Sequence, residues 1–271
     1  MNIMSAITYG VVYHLVGYRR KVVAQNLERC FPEKSEEERK ELAKKYYHHM
    51  SDLLVEEVLN IFTSPEGIYE RYKFVNREVL DQYYDEGKSV VLMSAHYNNW
   101  EYMILSLNLQ VLQHGVATCK PLHNKRIGKF IDKRRARYGT EIASSENIRD
   151  IMAYYNKYKI PIAYLMLCDQ APHNPRKCYW TNFLHQDTGW IYGPEHFARK
   201  YNFPVVYFVI KKVKRGHYEI HFETLCDDPS KVPEYSITEQ YVRKLEKEII
   251  NKPEYWLWSH KRWKKKRPKD M

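Results

Sequence analysis

The chain has 271 residues, enough for one substantial core, and 44 Lys and Arg against 33 Asp and Glu leave a net charge of +11. That balance points to an anionic partner: phosphorylated lipid, a membrane surface, an acidic protein or nucleic acid. The five cysteines (Cys30, Cys119, Cys168, Cys178, Cys226) are scattered and never spaced as Cys-x-x-Cys, which argues against a disulfide framework or a structural zinc site and fits a reducing compartment.

Residues 1–18 carry no Asp, Glu, Lys or Arg and are followed at once by Arg19, Arg20 and Lys21. A spanning helix needs ~20 predominantly apolar residues, and this stretch is interrupted by Asn2, Ser5, Thr8, Gly10, His14 and Gly17. It therefore reads as a helix lying in a membrane interface, with an amphipathic helix packed on the domain as the alternative. The charges follow the apolar part and no cleavage site is evident, so a signal peptide is not expected. From Ser35 to Asn60 a capped helix is expected, Ser35 and Glu38 forming a capping box.

The stretch from Ser89 to Leu105 begins as a buried strand, Val90 to Met93, and ends as a helix carrying Tyr102, Leu105 and Leu109 at helical spacing. His96 and Glu101 sit at that junction, where open α/β sheets bind ligands. An imidazole there can take a proton from a hydroxyl, and a carboxylate five positions later can hold the ring. A core histidine followed by an ordinary first-turn acid is the plainer reading.

A second short strand is expected at 116–120, then a turn through Asn124 into a basic helix from Lys125 to Tyr138, stopped by Gly139. Its charges include Lys125, Arg126, Lys129 and Arg135, either a solvated face or a reach toward an anion near His96. A strand at 141–143 and a helix through Tyr158 capped by Ser144 or Ser145 follow. The buried strand from Ile160 to Cys168 ends in Asp169-Gln170, placed to line the same crevice as His96. Residues 171–193 read as a long loop able to cover a site. A helix from Gly193, a hairpin of 204–211 with 217–225, and a helix at 237–251 complete the elements. The tail from Pro253 to Pro268 interleaves Trp256, Trp258 and Trp263 with basic residues, a pattern suited to an anionic bilayer, to stacking on nucleic acid, or to packing on the domain. His217 and His221 fall on one strand roughly 13 Å apart, too far to share a metal. With no Walker loop or dinucleotide fingerprint either, no cofactor and no metal are expected.

Six blocks, in order, carry a resemblance: Tyr18-Arg19-Arg20-Lys21 through Cys30-Phe31-Pro32; His96-Tyr97-Asn98-Asn99-Trp100-Glu101; Lys120-Pro121-Leu122-His123-Asn124; Arg135-Ala136-Arg137-Tyr138-Gly139; Asp169-Gln170; and Tyr255 through Lys264. Together, from about Gly17 to Pro268, they resemble the late (lauroyl/myristoyl-type) lipid A biosynthesis acyltransferases of Gram-negative bacteria. The resemblance implies a glycerolipid-acyltransferase-like single α/β domain over residues 19–271, with a mostly parallel central sheet flanked by helices, and a membrane-associated helix over 1–18. It implies acyl transfer from acyl carrier protein to a hydroxyl of a lipid A precursor at the cytoplasmic face of the inner membrane, held peripherally or by a single anchor. His96 and Glu101 would be catalytic; Asn124, Arg135 and Asp169 would bind substrate, with Arg135 also a candidate oxyanion donor beside a backbone N-H. Nucleic acid is not an expected partner, as no motif for it is present. Two departures stand out. The family usually has Gly where this chain has Asn98, and usually carries a longer hydrophobic amino-terminal anchor, of which only the last part is expected here. Another lysophospholipid or glycolipid acceptor, and a non-catalytic lipid- or nucleic-acid-binding module, are the competing readings.

Overall fold

Apolar runs without interruption make strands covered on both faces. Val90–Ser94 (β2) is buried along its whole length, and Ile162–Leu167 (β5) and the first six residues of Val205–Lys214 (β8) nearly so. The computed structural model, which describes residues 2–270, joins them in a seven-stranded sheet. Its order is Tyr72–Phe74 (β1), His217–Cys226 (β9), β8, β2, β5, His114–Thr118 (β3) and Glu141–Ala143 (β4). Every neighbouring pair is parallel except β8 and β9, the hairpin expected around Arg215-Gly216. The α/β architecture with a mostly parallel sheet flanked by helices is as expected.

Side chains alternate along β2. Val90 and Leu92 pack with Tyr102, Met103 and Leu107 of Trp100–Gln110 (α6), and with Leu80 and Tyr83 of Glu78–Asp85 (α5). Val91 and Met93 face the other layer, built from Arg20–Cys30 (α2), Glu36–Asn60 (α3), Ile148–Lys157 (α8), Gly193–Tyr201 (α9) and Ser236–Asn251 (α10). The start of α3 is the expected capping box: Glu38 N-H donates to Ser35 Oγ at 3.2 Å, and Ser35 N-H to Glu38 Oε2 at 2.7 Å.

The first helix, Asn2–Tyr9 (α1), continues as a π-helical turn over Gly10–Leu15 and packs on the domain, as the second of the two expectations has it. One side docks on α3. Ser5 Oγ donates to Asp52 Oδ1 at 2.5 Å and Tyr9 stacks on His48 at 3.7 Å between ring centroids. The other side is apolar and outward, with Ile3 77%, Ile7 62% and Leu15 80% exposed. Among the described residues, no helix is long and apolar enough to cross a membrane. Asp52 also receives Lys212 Nζ at 3.2 Å and Arg215 Nε at 3.0 Å, so one buried carboxylate ties α1 and α3 to the β8–β9 hairpin.

Two local expectations are corrected. The long loop over 171–193 contains an antiparallel hairpin, Cys178–Phe183 (β6) and Gln186–Ile191 (β7). Its two-residue turn places Leu184 at φ 48° and His185 at φ 63°; such turns favour Asn-Gly, so the composition concealed it. The residue before α8 is Asn147 rather than Ser144 or Ser145, and Asn147 Oδ1 instead accepts the Ser144 N-H at 2.7 Å. Of the readings of the tail, packing on the domain holds for Trp256 and Trp258, 2% and 0% exposed, while Trp263 is half-buried.

Removing the Asp52 carboxylate takes away the acceptor that Lys212 and Arg215 share on α3. Asp52→Ala is expected to cost about 2–4 kcal/mol, against ~1 kcal/mol for Ser5→Ala, read from denaturant unfolding midpoints.

Candidate active site

The turn between β2 and α6 is shaped by two consecutive residues, Asn98 and Asn99. Asn98 has φ 53°, the left-handed region where Gly is free and Asn is among the better-tolerated alternatives. Its Nδ2 donates to Ile210 O at 2.5 Å and its backbone N-H to Tyr255 O at 3.0 Å, contacts a glycine could match only in part. Asn99 caps α6, its Oδ1 accepting Tyr102 N-H at 3.0 Å, while its Nδ2 donates to Glu56 Oε2 at 2.7 Å. Tyr218 donates to the same oxygen at 2.8 Å. Burial raises the Glu56 carboxyl above its ordinary range, against the pull of those two donors.

His96 is held by Asp169. Nδ1 lies 2.6 Å from Asp169 Oδ1, and the His96 backbone N-H donates to Oδ2 at 3.1 Å. Trp256 Nε1 donates to the same Oδ2 at 2.8 Å. Burial opposes charge on Asp169, but His96 and the indole N-H outweigh it and hold the carboxyl below its ordinary range. A carboxylate at Nδ1 fixes the proton there and leaves Nε2 as the lone-pair nitrogen. Nε2 is 3.1 Å from Gln170 Nε2, and the ring meets Trp100 edge-on at 5.2 Å.

The ring-holding carboxylate expected at Glu101 is therefore Asp169. In the parallel register of β2 and β5, Ser94 stands opposite Leu167, so the residues two beyond each, His96 and Asp169, fall side by side. Glu101, in the first turn of α6, turns instead toward Lys125–Arg135 (α7). Its Oε2 accepts Arg135 Nε at 2.9 Å and Arg134 Nη2 at 3.0 Å, and Arg134 also pairs with Glu57. Burial works against the Glu101 charge, but Arg135, Arg134 and the nearby His96 keep it below the ordinary carboxylate range. Burial and the repulsion of Glu101 push Glu57 the other way.

Arg135 and His96 both line a cavity of about 470 Å³, with Trp100, Lys120, His123 and Gln170. Asp169 stands behind His96, outside that lining, so its place is against the ring rather than in the substrate cavity. Asn124 is also outside it: its Oδ1 caps α7, accepting Arg126 N-H at 3.0 Å and Ile127 N-H at 3.1 Å. A second cavity of about 390 Å³ is almost wholly apolar, walled by Val12, Met50, Leu53 and Leu257, and shares Trp100 with the first.

The carboxyl-terminal block closes the site from behind. His260 Nε2 accepts Ala171 N-H at 3.1 Å. Asn26 Nδ2 donates to Trp258 O at 2.8 Å and His260 O at 3.0 Å, and Arg19 to Ser259 O at 2.9 Å. Arg262, 2% exposed, donates to Gly189 O at 2.7 Å and lies 4.5 Å over Trp190. Arg137 fastens the end of α7 to Asn60 O at 3.0 Å and Thr63 O at 2.9 Å.

Blocks far apart in the chain thus converge on one histidine. The family model described as bacterial lipid A biosynthesis acyltransferase matches residues 3–265. The chain belongs to the bacterial lipid A biosynthesis acyltransferase family. It is 22% identical over 250 residues to the lipid A biosynthesis lauroyltransferase of Escherichia coli (strain K12), covering 91% of this chain and 79% of that protein. It is 23% identical over 252 residues to the palmitoleoyltransferase of the same strain, and equally to a lipid A biosynthesis acyltransferase of Shigella flexneri, again 91% and 79%. Within this acyltransferase, sequence reading missed the ring-holding place of Asp169, the approach of Gln170 to Nε2 and the Trp256 donor. The strand-end position of Asp169-Gln170 was the available signal.

A buried histidine, His49, and a half-buried one, His260, make stability acid-sensitive. Burial lowers His49 from 6.5 to about 3 and His260 from 6.5 to about 4. Below 6.5 the unfolded chain takes up protons that the folded one refuses, so their contribution is complete above that value and is lost as pH falls toward 4. Denaturant midpoints should drop between about pH 7 and 5, and His260→Gln should remove part of that slope.

Proposed function

We propose that this chain moves a fatty acyl group from the thioester of acyl carrier protein to a hydroxyl of a lipid A precursor, by direct attack, at the cytoplasmic face of the inner membrane. The observation that carries the reading is the His96–Asp169 pair at 2.6 Å, with Nε2 on a cavity that also holds Arg135. In this reading Nε2 takes the acceptor proton, the alkoxide oxygen attacks the thioester carbonyl, and the imidazolium returns the proton to the departing thiolate. Asp169 stays ionised and stabilises the imidazolium. Arg135, clamped by Glu101, offers its guanidinium to the oxyanion, so Glu101 acts through Arg135.

An acyl-enzyme is not needed. Cys119 lines the cavity, but burial raises its thiol to about 11, leaving little thiolate near neutrality. The apolar cavity beside Trp100 suits the acyl chain. The exposed cations Lys125, Arg126 and Lys129 of α7 suit an acidic carrier protein or the acceptor's phosphates. The outward apolar side of α1 supports residues 1–18 as a membrane-associated segment ahead of the acyltransferase domain.

Incubation with acyl carriers and a panel of hydroxyl-bearing lipids, read by lipid mass spectrometry, tests the assignment; acylation of a lysophospholipid but no lipid A precursor would move the acceptor to another lipid class. His96→Ala is expected to lower kcat by at least ~10³ and Asp169→Asn by about 10²–10⁴. Normal turnover in His96→Ala sinks the mechanism. Intact-protein mass spectrometry during turnover should find no acyl group on Cys or Ser, and a trapped one would rule out direct transfer.

A further inference from the structure

One dipeptide occupies both nitrogens of the His96 ring. Asp169 is at Nδ1, 2.6 Å away, and the amide of Gln170 is at Nε2, 3.1 Å away. With the ring proton fixed on Nδ1, Nε2 is an acceptor, so the group facing it must be the amide N-H of Gln170 and not its carbonyl. The nitrogen that would remove a proton is therefore already engaged by a side chain of the protein. Gln170 is half-buried on the cavity wall, and its loop is fastened one residue later where Ala171 N-H donates to His260 Nε2 at 3.1 Å.

The geometry points to Gln170 as a cap on the base that discriminates the lipid hydroxyl from water. Any nucleophile must displace the amide before it can give up its proton. A lipid acceptor held elsewhere in the cavity meets that cost with binding energy and with the high effective concentration of a positioned hydroxyl. Water has neither. The displaced amide N-H then has the acceptor oxygen as its new partner, so the same side chain aligns the correct nucleophile.

The suppressed side reaction is hydrolysis. The water oxygen bonds to the thioester carbonyl carbon, its proton goes to Nε2, the C–S bond breaks, and the proton passes to the carrier thiolate. The products are a fatty acid and a carrier thiol.

This inference rests on His96 being the base, and the experiment separates the two. Acyl carrier protein bearing a fatty acyl thioester is incubated without acceptor, and thiol release is compared for wild type and Gln170→Met, which keeps the length of the side chain without its N-H donors. Release should rise roughly threefold to tenfold, the bias one neutral hydrogen bond imposes, and His96→Ala in the Gln170→Met background should abolish it. With the lipid acceptor present, the ratio of hydrolysis to transfer should rise by a similar factor. Gln170→Ala, also donor-free, gives a second reading should Gln170→Met fail to fold by circular dichroism. Unchanged or slower thiol release in a folded donor-free variant overturns the cap alone. Faster release that survives His96→Ala overturns the general-base reading beneath it.

Discussion

The site depends on a single buried carboxylate kept charged at the end of a parallel sheet. Asp169 is 3% exposed, a place where charge is unfavourable unless matched by donors and a counter-charge. It has three donors: the His96 ring, the His96 backbone N-H and the Trp256 indole. Each comes from an element that had to be placed first. The ring and its N-H require the β2–β5 register, and the indole requires the carboxyl-terminal segment to cross behind both strand ends. The ordered network gives Trp256 an internal place despite the cations that flank it.

A second charge system runs beside the first without replacing it. Glu57, Arg134, Glu101 and Arg135 alternate in sign from α3 through α7 to α6 and end on the cavity. Glu101 is satisfied by two guanidinium groups and holds Arg135 at the cavity. In the proposed reaction the His96–Glu101 motif would unite two tasks, proton removal and anion placement, on the two ends of one short turn.

The same turn separates a cavity of mixed lining from one that is almost wholly apolar. Trp100, the first residue of α6, lines both the cavity at His96 and the apolar one walled by Val12, Met50 and Leu257. The proposed joining of a fatty chain to a polar acceptor would use this adjacency, which arises where the amino-terminal segment and α3 pack against the carboxyl-terminal tryptophan block.

Local rules reach far in this chain because much of its information is local. The apolar runs of β2 and β5, the Ser35–Glu38 box and the turn-rich junction after β2 each arise from short-range sterics and hydrogen bonding, and they located His96, Glu101 and Arg135 near one another. The β6–β7 hairpin escaped because Leu184 and His185 adopt angles their side chains disfavour, held there by surrounding packing. Asn124 was read as a substrate contact from its block, and what the structure adds is that its Oδ1 caps α7. The sequence by itself determined that a histidine and a carboxylate would stand at a strand-to-helix junction in a basic α/β domain. Only the tertiary structure decided which carboxylate holds the ring, because strand register is a relation between Ser94 and Leu167, 73 residues apart in the chain as His96 and Asp169 are, and no local pattern encodes it.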